Sequence, residues 1–335
     1  MSDAPSVRHA ALVYRDAQNL HDRLAADPPP GDHLVVLACR AENEAAAGAA
    51  LAGHEVLRAD RPDIHTRPAA ALAAYRRLRR TAGTAVTIVA EPETGGTLSA
   101  WRRATRCETA VDLALAGSDV DIVCAYPATT PHQLLADLVR AHPALLTPLG
   151  RRPNPDHADP ADMLRRLAPR SPRAAPPHPP ALHITDGGTL ENLLAIRRDL
   201  AARLAGLPAL VRTDFVAAVN EIATNGYLHG APPLEISLWI TGDTIECRVT
   251  DHGPGVSDPT LGYRPSPASG RRAGAGLWLA RQLCDDIDLW RAGDAFTVRA
   301  ATAVTTRHNR TVGALARAEI ARARADLAVR RRRRR

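Results

Sequence analysis

Lysine is missing altogether: all 43 basic residues of the 335 are arginine. With so much alanine beside it, this absence reflects the base composition of a GC-rich genome. Aromatic residues are scarce at 3%, yet hydrophobic residues make up 45% and charged residues 24%, a globular composition that excludes wholesale disorder. No apolar run approaches the ~18 residues needed to cross a bilayer. The N-terminus MSDAPSVRHA also lacks a charged-then-apolar signal pattern. A cytoplasmic protein without a membrane span is expected. The five cysteines (Cys39, Cys107, Cys124, Cys247, Cys284) are odd in number, scattered and free of C-x-x-C spacing, so neither a disulfide framework nor a zinc knuckle is indicated. Buried free thiols are the expectation. No glycine-rich phosphate loop of the Walker or dinucleotide type is present either.

What is present is enough chain for about two domains at roughly 100–200 residues each. The net charge of +7 is local: residues 317–335 hold nine Arg against Glu319 and Asp326, and the rest of the chain sums to zero. Nucleic acid is therefore expected at most through this Arg tail, which otherwise reads as a solvated terminus.

Residues 1–150 alternate strand-like runs (HLVVLAC, HEVLRAD, AVTIVAE, DIVCAY) with helical patterns at 42–51, 70–80, 101–115 and 131–145. Short buried strands between helices predict an α/β layered domain. Residues 151–180 contain nine prolines and are expected to be a semi-rigid linker. From 181 to 305 the pattern changes to helices at 189–206 and 210–229, then strands LEISLWI and TIECRVT joined by a Thr241-Gly242-Asp243 turn. A Gly/Pro-rich loop, a helix from 276 and two last strands, IDLW and AFTVRA, complete the domain. The expectation is an α+β domain with helices on a mixed sheet, followed by a basic tail over 306–335.

Three short motifs carry the chemistry. In VNEIATNGYLHG, Phe215, Val219, Ile222 and Gly226 form one helical stripe, while Glu221 and Asn225 share a second stripe roughly 110° away at ~100° per residue. An acid beside an amide can position a nucleophile and hold Mg²⁺, although an isolated E-x-x-x-N is also an ordinary solvated stripe. Asp251-His252-Gly253-Pro254-Gly255 leaves the strand TIECRVT; its aspartate can accept an exocyclic amine, and its glycines let a planar base approach. An Asx-Gly turn is the plainer reading. Gly274-Ala275-Gly276 opens a helix and offers backbone N–H groups to phosphates, or merely caps it.

In this order and on these elements, the motifs closely resemble the GHKL ATPase superfamily with its Bergerat nucleotide fold, over residues 185–305. NEIATN followed by His-Gly, and GAGLWLARQLCDD, are most similar to the anti-sigma-factor serine/threonine kinases. The resemblance implies ATP with Mg²⁺: Glu221 as general base, Asn225 as Mg²⁺ ligand and Asp251 as adenine reader. Gly253 and Gly255 would shape the pocket, Gly274, Gly276 and Leu277 would adjoin the phosphates, and Arg271 and Arg272 would pair with phosphate oxygens. It also implies a sigma factor and its antagonist as protein partners, and a homodimer is compatible with it. Two departures stand out. Gly226 replaces the usual Ala at ~1 kcal/mol of helix propensity, and RAGDAFTVRA lacks a common Gly-Thr pair. A sensor histidine kinase would need a helix displaying the acceptor, and His178 and His183 lie in or beside the Pro-rich segment, so hydroxyl phosphorylation is expected. A non-catalytic, ATP-gated partner-binding module is the alternative.

The N-terminal region is similar to the MEDS sensory domain of methanogen and methylotroph regulators, through His9 and Tyr14, Asp60, Arg106 and Glu108, Cys124 and Tyr126, and His142-Pro143. This implies a sensor of a small ligand. Taken singly, His9 and Cys124 read as buried core residues.

Overall fold

The runs LVVLA and VTIVA offer no polar face to water, and in the computed structural model they are β2 (Leu34–Ala38) and β4 (Val86–Ala90), buried along their whole length. Residues 9–58, 85–94, 97–115, 120–169, 173–185, 190–263 and 275–304 are described. The helix expected over 70–80 lies outside them, as do Asp60, Arg271, Arg272, Gly274 and the Arg tail. The chain divides into two units between Leu164 and Arg165.

In the first unit, β1 (His9–Tyr14), β3 (Val56–Arg58), β5 (Val120–Pro127), β6 (Ala144–Thr147) and β7 (Gly150–Pro153) join β2 and β4 in a seven-stranded sheet ordered β3-β2-β4-β5-β1-β6-β7. Among the described residues every pairing is parallel except β6 with β7. Parallel neighbours need crossovers, and helices supply them on both faces. On one face Leu12, Val35, Leu37 and Val89 meet Leu20 and Leu24 of α1 (Ala17–Ala25) and Ala47 of α2 (Ala41–Ala50). On the other, Val36, Ile88, Ile122 and Cys124 meet Ala104 and Val111 of α3 (Leu98–Leu115) and Leu138 of α4 (His132–Arg140). Burying each such leucine stabilises the fold by about 1.5–3 kcal/mol. Asp16 starts α1 by accepting the Asn19 N–H at 2.8 Å.

Two expectations for this region are corrected. The helix expected over 131–145 ends at Arg140, because Pro143 lacks an N–H and biases His142 away from helical backbone. The residues after it form β6, with Ala144 opposite Ala10. The segment expected as a linker over 151–180 is largely structured. Pro153 closes the edge strand β7, and Pro160 opens α5 (Pro160–Leu167), where a missing N–H costs nothing. Asp159 caps α5 by accepting the Ala161 and Asp162 N–H groups at 2.9 and 3.1 Å.

The second unit holds β8 (Leu182–Ile184), α6 (Leu190–Arg203), α7 (Ala209–His229), β9 (Glu235–Thr241), β10 (Thr244–Asp251), α8 (Ala275–Leu283), β11 (Asp286–Ala292) and β12 (Ala295–Ala303). Its sheet, ordered β11-β12-β10-β9-β8, is antiparallel at every pairing among the described residues, which corrects the mixed sheet expected. Short turns join β9 to β10 and β11 to β12, while β8–β9 and β10–β12 pair across intervening elements; at Gly242 the φ of +43° suits the two-residue turn between β9 and β10. Alternation along β10 gives the sheet two faces. Ile245, Cys247 and Val249 point to the core, where α7 lies over β10 and β12 and packs on α6 and α8. On the opposite face Arg299 donates to Glu246 at 2.7 Å and to Asp286 and Asp288 at 3.3 Å each. Arg248 lies over Trp239 and Trp290 and donates to the carbonyls of Arg173 and Ala174 at 2.9 and 2.6 Å. Trp239 donates to the His178 carbonyl at 3.1 Å, so the Pro-rich strand of chain before β8 is tied to the sheet. Among the described residues no helix is long and apolar enough to cross a membrane.

Candidate functional site

Helix α7 builds one wall. Phe215, Val219 and Ile222 are buried as the stripe requires, and Glu221 and Asn225 sit half-buried on the neighbouring stripe. Gly226 has a packing reason: a Cβ there would lie 2.7 Å from Cδ1 of the buried Leu234. The helix closes where the Gly230 N–H donates to the Gly226 carbonyl at 2.9 Å.

The second wall is the exit of β10. Asp251 is buried, and its Oδ1 accepts the Gly253 N–H at 2.7 Å, which turns the chain back on itself. Three glycines then allow close packing. A Cβ on Gly253 would stand 2.5 Å from the Gly230 Cα, and one on Gly230 would stand 2.5 Å from the Asp251 carboxyl. Gly255, at φ +68°, lies flat on Phe296, where a Cβ would approach Cδ2 to 2.6 Å. Side chains at these positions would push these close contacts apart and displace the walls of the space between α7 and the sheet.

That space is a cavity of about 290 Å³. Ile222, Val249, Leu261, Leu277, Phe296 and Val298 make it apolar, while Asn225, Asp251 and Asp258 supply polar groups. An apolar slot with a carboxylate on its wall suits a planar base carrying an exocyclic amine. At the start of α8, a Cβ on Gly276 would lie 2.9 Å from the Asn225 amide nitrogen and 3.2 Å from a Glu221 carboxylate oxygen. The structure thus brings Glu221, Asn225 and Gly276 together, and puts Asn225, Asp251, Gly255 and Leu277 on one cavity with Gly253 bracing its loop. Arg271, Arg272 and Gly274 lie outside the described residues. Sequence reasoning passed over Gly230 and Phe296; the His-Gly after α7 signals the first, whereas Phe296 is set opposite Asp251 only by strand register.

In the first unit, the Tyr14 hydroxyl donates to Glu91, which also accepts from Asn43 at 2.8 Å. Arg106 is half-buried on α3. His9, Glu108, Cys124 and His142 converge in the core, with Tyr126 edge-on to His142. Burial, reinforced by His142, pushes the His9 imidazole down to about 4, so it is neutral at ordinary pH. Burial and then Glu108 hold the Cys124 thiol well above its usual range. Neither His178 nor His183 lies on a helix; His183 is in β8.

Residues 187–302 match the family model of the histidine kinase-like ATPase domain. A crystal structure of the RsbU and RsbW domains of Rv1364c from Mycobacterium tuberculosis is similar at 22% identity, over 38% of this chain and 32% of that one, with a TM-score of 0.29. The match therefore spans about a third of that neighbour's length. Among curated proteins there is no match.

Proposed function

We propose, from the premise that residues 187–302 form a histidine kinase-like ATPase domain, that this unit binds Mg-ATP and phosphorylates a serine or threonine of a protein partner. The observation that carries the reading is the glycine-walled cavity with Asp251 on one side and Asn225, next to Glu221 and Gly276, on the other. The residues fit the nucleotide. Asp251 accepts the adenine amine, Gly230 and Gly255 line the pocket with Gly253 bracing its loop, and Phe296 and Leu277 cover the faces of the ring. The Asn225 amide oxygen is the group suited to Mg²⁺. Gly276 lies in the first turn of α8, and backbone N–H groups at a helix start favour phosphate; Arg271, Arg272 and Gly274 join it on the strength of the sequence resemblance.

Bound Mg-ATP supplies the phosphoryl group and the cation that offsets its charge. Glu221 takes the proton from the attacking hydroxyl as the oxygen–phosphorus bond forms and ADP leaves, so this chain contributes mostly positioning. NEIATN and the short α8 motif support an anti-sigma-factor kinase, with a sigma factor and its antagonist as partners. The first unit is the MEDS-like sensory module of this reading. Its cavity of about 590 Å³, lined by His33, Thr87, Asp121 and Arg151 among others, has the volume of a small-ligand site.

The test is transfer of labelled γ-phosphate from ATP to a sigma-factor antagonist, followed by acid treatment and phospho-amino-acid separation. Acid-stable phosphoserine or phosphothreonine, lost in Glu221→Gln while ATP binding persists, is the expected result. Acid-labile label would assign a histidine acceptor, and ATP binding with no transfer would leave a partner-binding module.

A further inference from the structure

We propose that His9, Glu108, Cys124 and His142 form a zinc site in the core of the first unit. It is separate from the nucleotide cavity and does not depend on that reading. The four donors come from four places in the fold: β1, α3, β5 and the turn between α4 and β6. All four residues are at most 1% exposed.

Their spacing is that of a coordination shell. Glu108 Oε2 lies 3.3 Å from His9 Nε2, 3.3 Å from Cys124 Sγ and 3.5 Å from His142 Nε2, and Cys124 Sγ lies 3.6 Å from His9 Nε2. The four donor atoms are all within 4.8 Å of one another. A tetrahedral zinc with bonds of about 2.0–2.3 Å has donor–donor edges of about 3.3–3.7 Å. These four edges fall in that interval.

The orientation of His142 is an independent observation. Its Nδ1 lies 2.8 Å from the Leu138 carbonyl, which can only accept, so Nδ1 carries the proton and the Nε2 lone pair faces the cluster. Nε2 is buried and has no hydrogen-bond partner among the described residues. A ligating imidazole whose other nitrogen is fixed by a backbone carbonyl is the usual outer-shell arrangement. Metal-free, the cluster is costly: the Glu108 carboxylate is buried with two imidazoles and a thiol. Two nitrogens, one sulfur and one carboxylate oxygen favour Zn²⁺ over Mg²⁺ or Ca²⁺, which take oxygen ligands. Four protein ligands close the shell, as in a structural rather than a catalytic site. The metal would fasten α3 and the α4–β6 turn to the two central strands, β1 and β5.

The experiment uses the full chain, stripped with chelator and reloaded with Zn²⁺ alone or Co²⁺ alone. One zinc per chain should survive desalting, measured by elemental mass spectrometry. Cobalt should give the intense visible bands of a tetrahedral site with a thiolate charge-transfer band. Cys124→Ser should abolish that band and weaken zinc binding by more than the roughly 10–100-fold typical of losing an outer-shell partner, and Glu108→Gln should also weaken it. Cys39→Ser, on the opposite face of the sheet, should change neither readout. A chain folded by circular dichroism that retains no zinc overturns the proposal. So does a weak octahedral cobalt spectrum, or zinc affinity unchanged in both Cys124→Ser and Glu108→Gln. The wild-type cobalt spectrum decides the matter even if a variant misfolds.

Discussion

Replacing Asp251 by asparagine changes one oxygen to an amino group and leaves the rest of the side chain in place. Asn retains an Oδ1 that accepts the Gly253 N–H now held at 2.7 Å, so the β10 exit loop keeps its turn. Toward the cavity, an anionic acceptor becomes a neutral donor. Against an adenine amine this removes a charged hydrogen bond of about 1.5–3 kcal/mol and opposes two donors at a further cost of about 1–3 kcal/mol. At 1.4 kcal/mol per tenfold, ATP affinity should fall by between about 10²- and 10⁴-fold. Calorimetric titration with Mg-ATP reads this directly, and thermal unfolding checks that the variant keeps its fold. A purine nucleotide without the exocyclic amine should lose much less affinity than ATP does. If Asp251→Asn binds ATP as tightly as the parent at an unchanged unfolding midpoint, Asp251 does not read the base.

Gly276→Ala places a methyl within 3.2 Å of both the Asn225 amide and the Glu221 carboxylate, so it should remove the Mg²⁺-dependent part of ATP affinity, compared by titrations with and without the cation. Equal Mg²⁺ dependence in parent and variant would separate α8 from the metal ligand. On the other face of the sheet, Arg299→Met removes the cation held at 2.7 Å from Glu246 and 3.3 Å from Asp288, leaving Glu246 with Arg248 at 2.8 Å and Asp288 with Arg173 at 3.4 Å. A loss of about 1.5–3 kcal/mol, that of a charged hydrogen bond, is expected in the urea unfolding of the C-terminal unit; a loss under about 0.5 kcal/mol would mean the network is solvent-screened.

The sequence made legible those features whose cause is local. The β9–β10 hairpin follows from Gly242-Asp243 between two alternating runs, and α7 follows from the spacing of Phe215, Val219 and Ile222. Glu221, Asn225 and Asp251 were visible because each motif sits on the element that presents it. Features settled by distant partners were not legible. Prolines 153 and 160 suggested a linker because proline excludes element interiors, yet both stand at element ends, and residues 173–178 are held by Arg248 and Trp239 about 60–75 positions away. Phe296 reaches the cavity through its register with Asp251. His9, Glu108, Cys124 and His142 were each visible through the MEDS resemblance, but not as one cluster, because β1, α3, β5 and the α4–β6 turn deliver them to one point from distant parts of the sequence.

The most direct measurement is calorimetric titration of ATP into the full chain with Mg²⁺, beside Asn225→Ala. Saturable binding that weakens in the variant and loses its Mg²⁺ dependence is the predicted result. No saturable binding in the parent, or identical binding in both proteins, would contradict the assignment of this cavity to Mg-ATP.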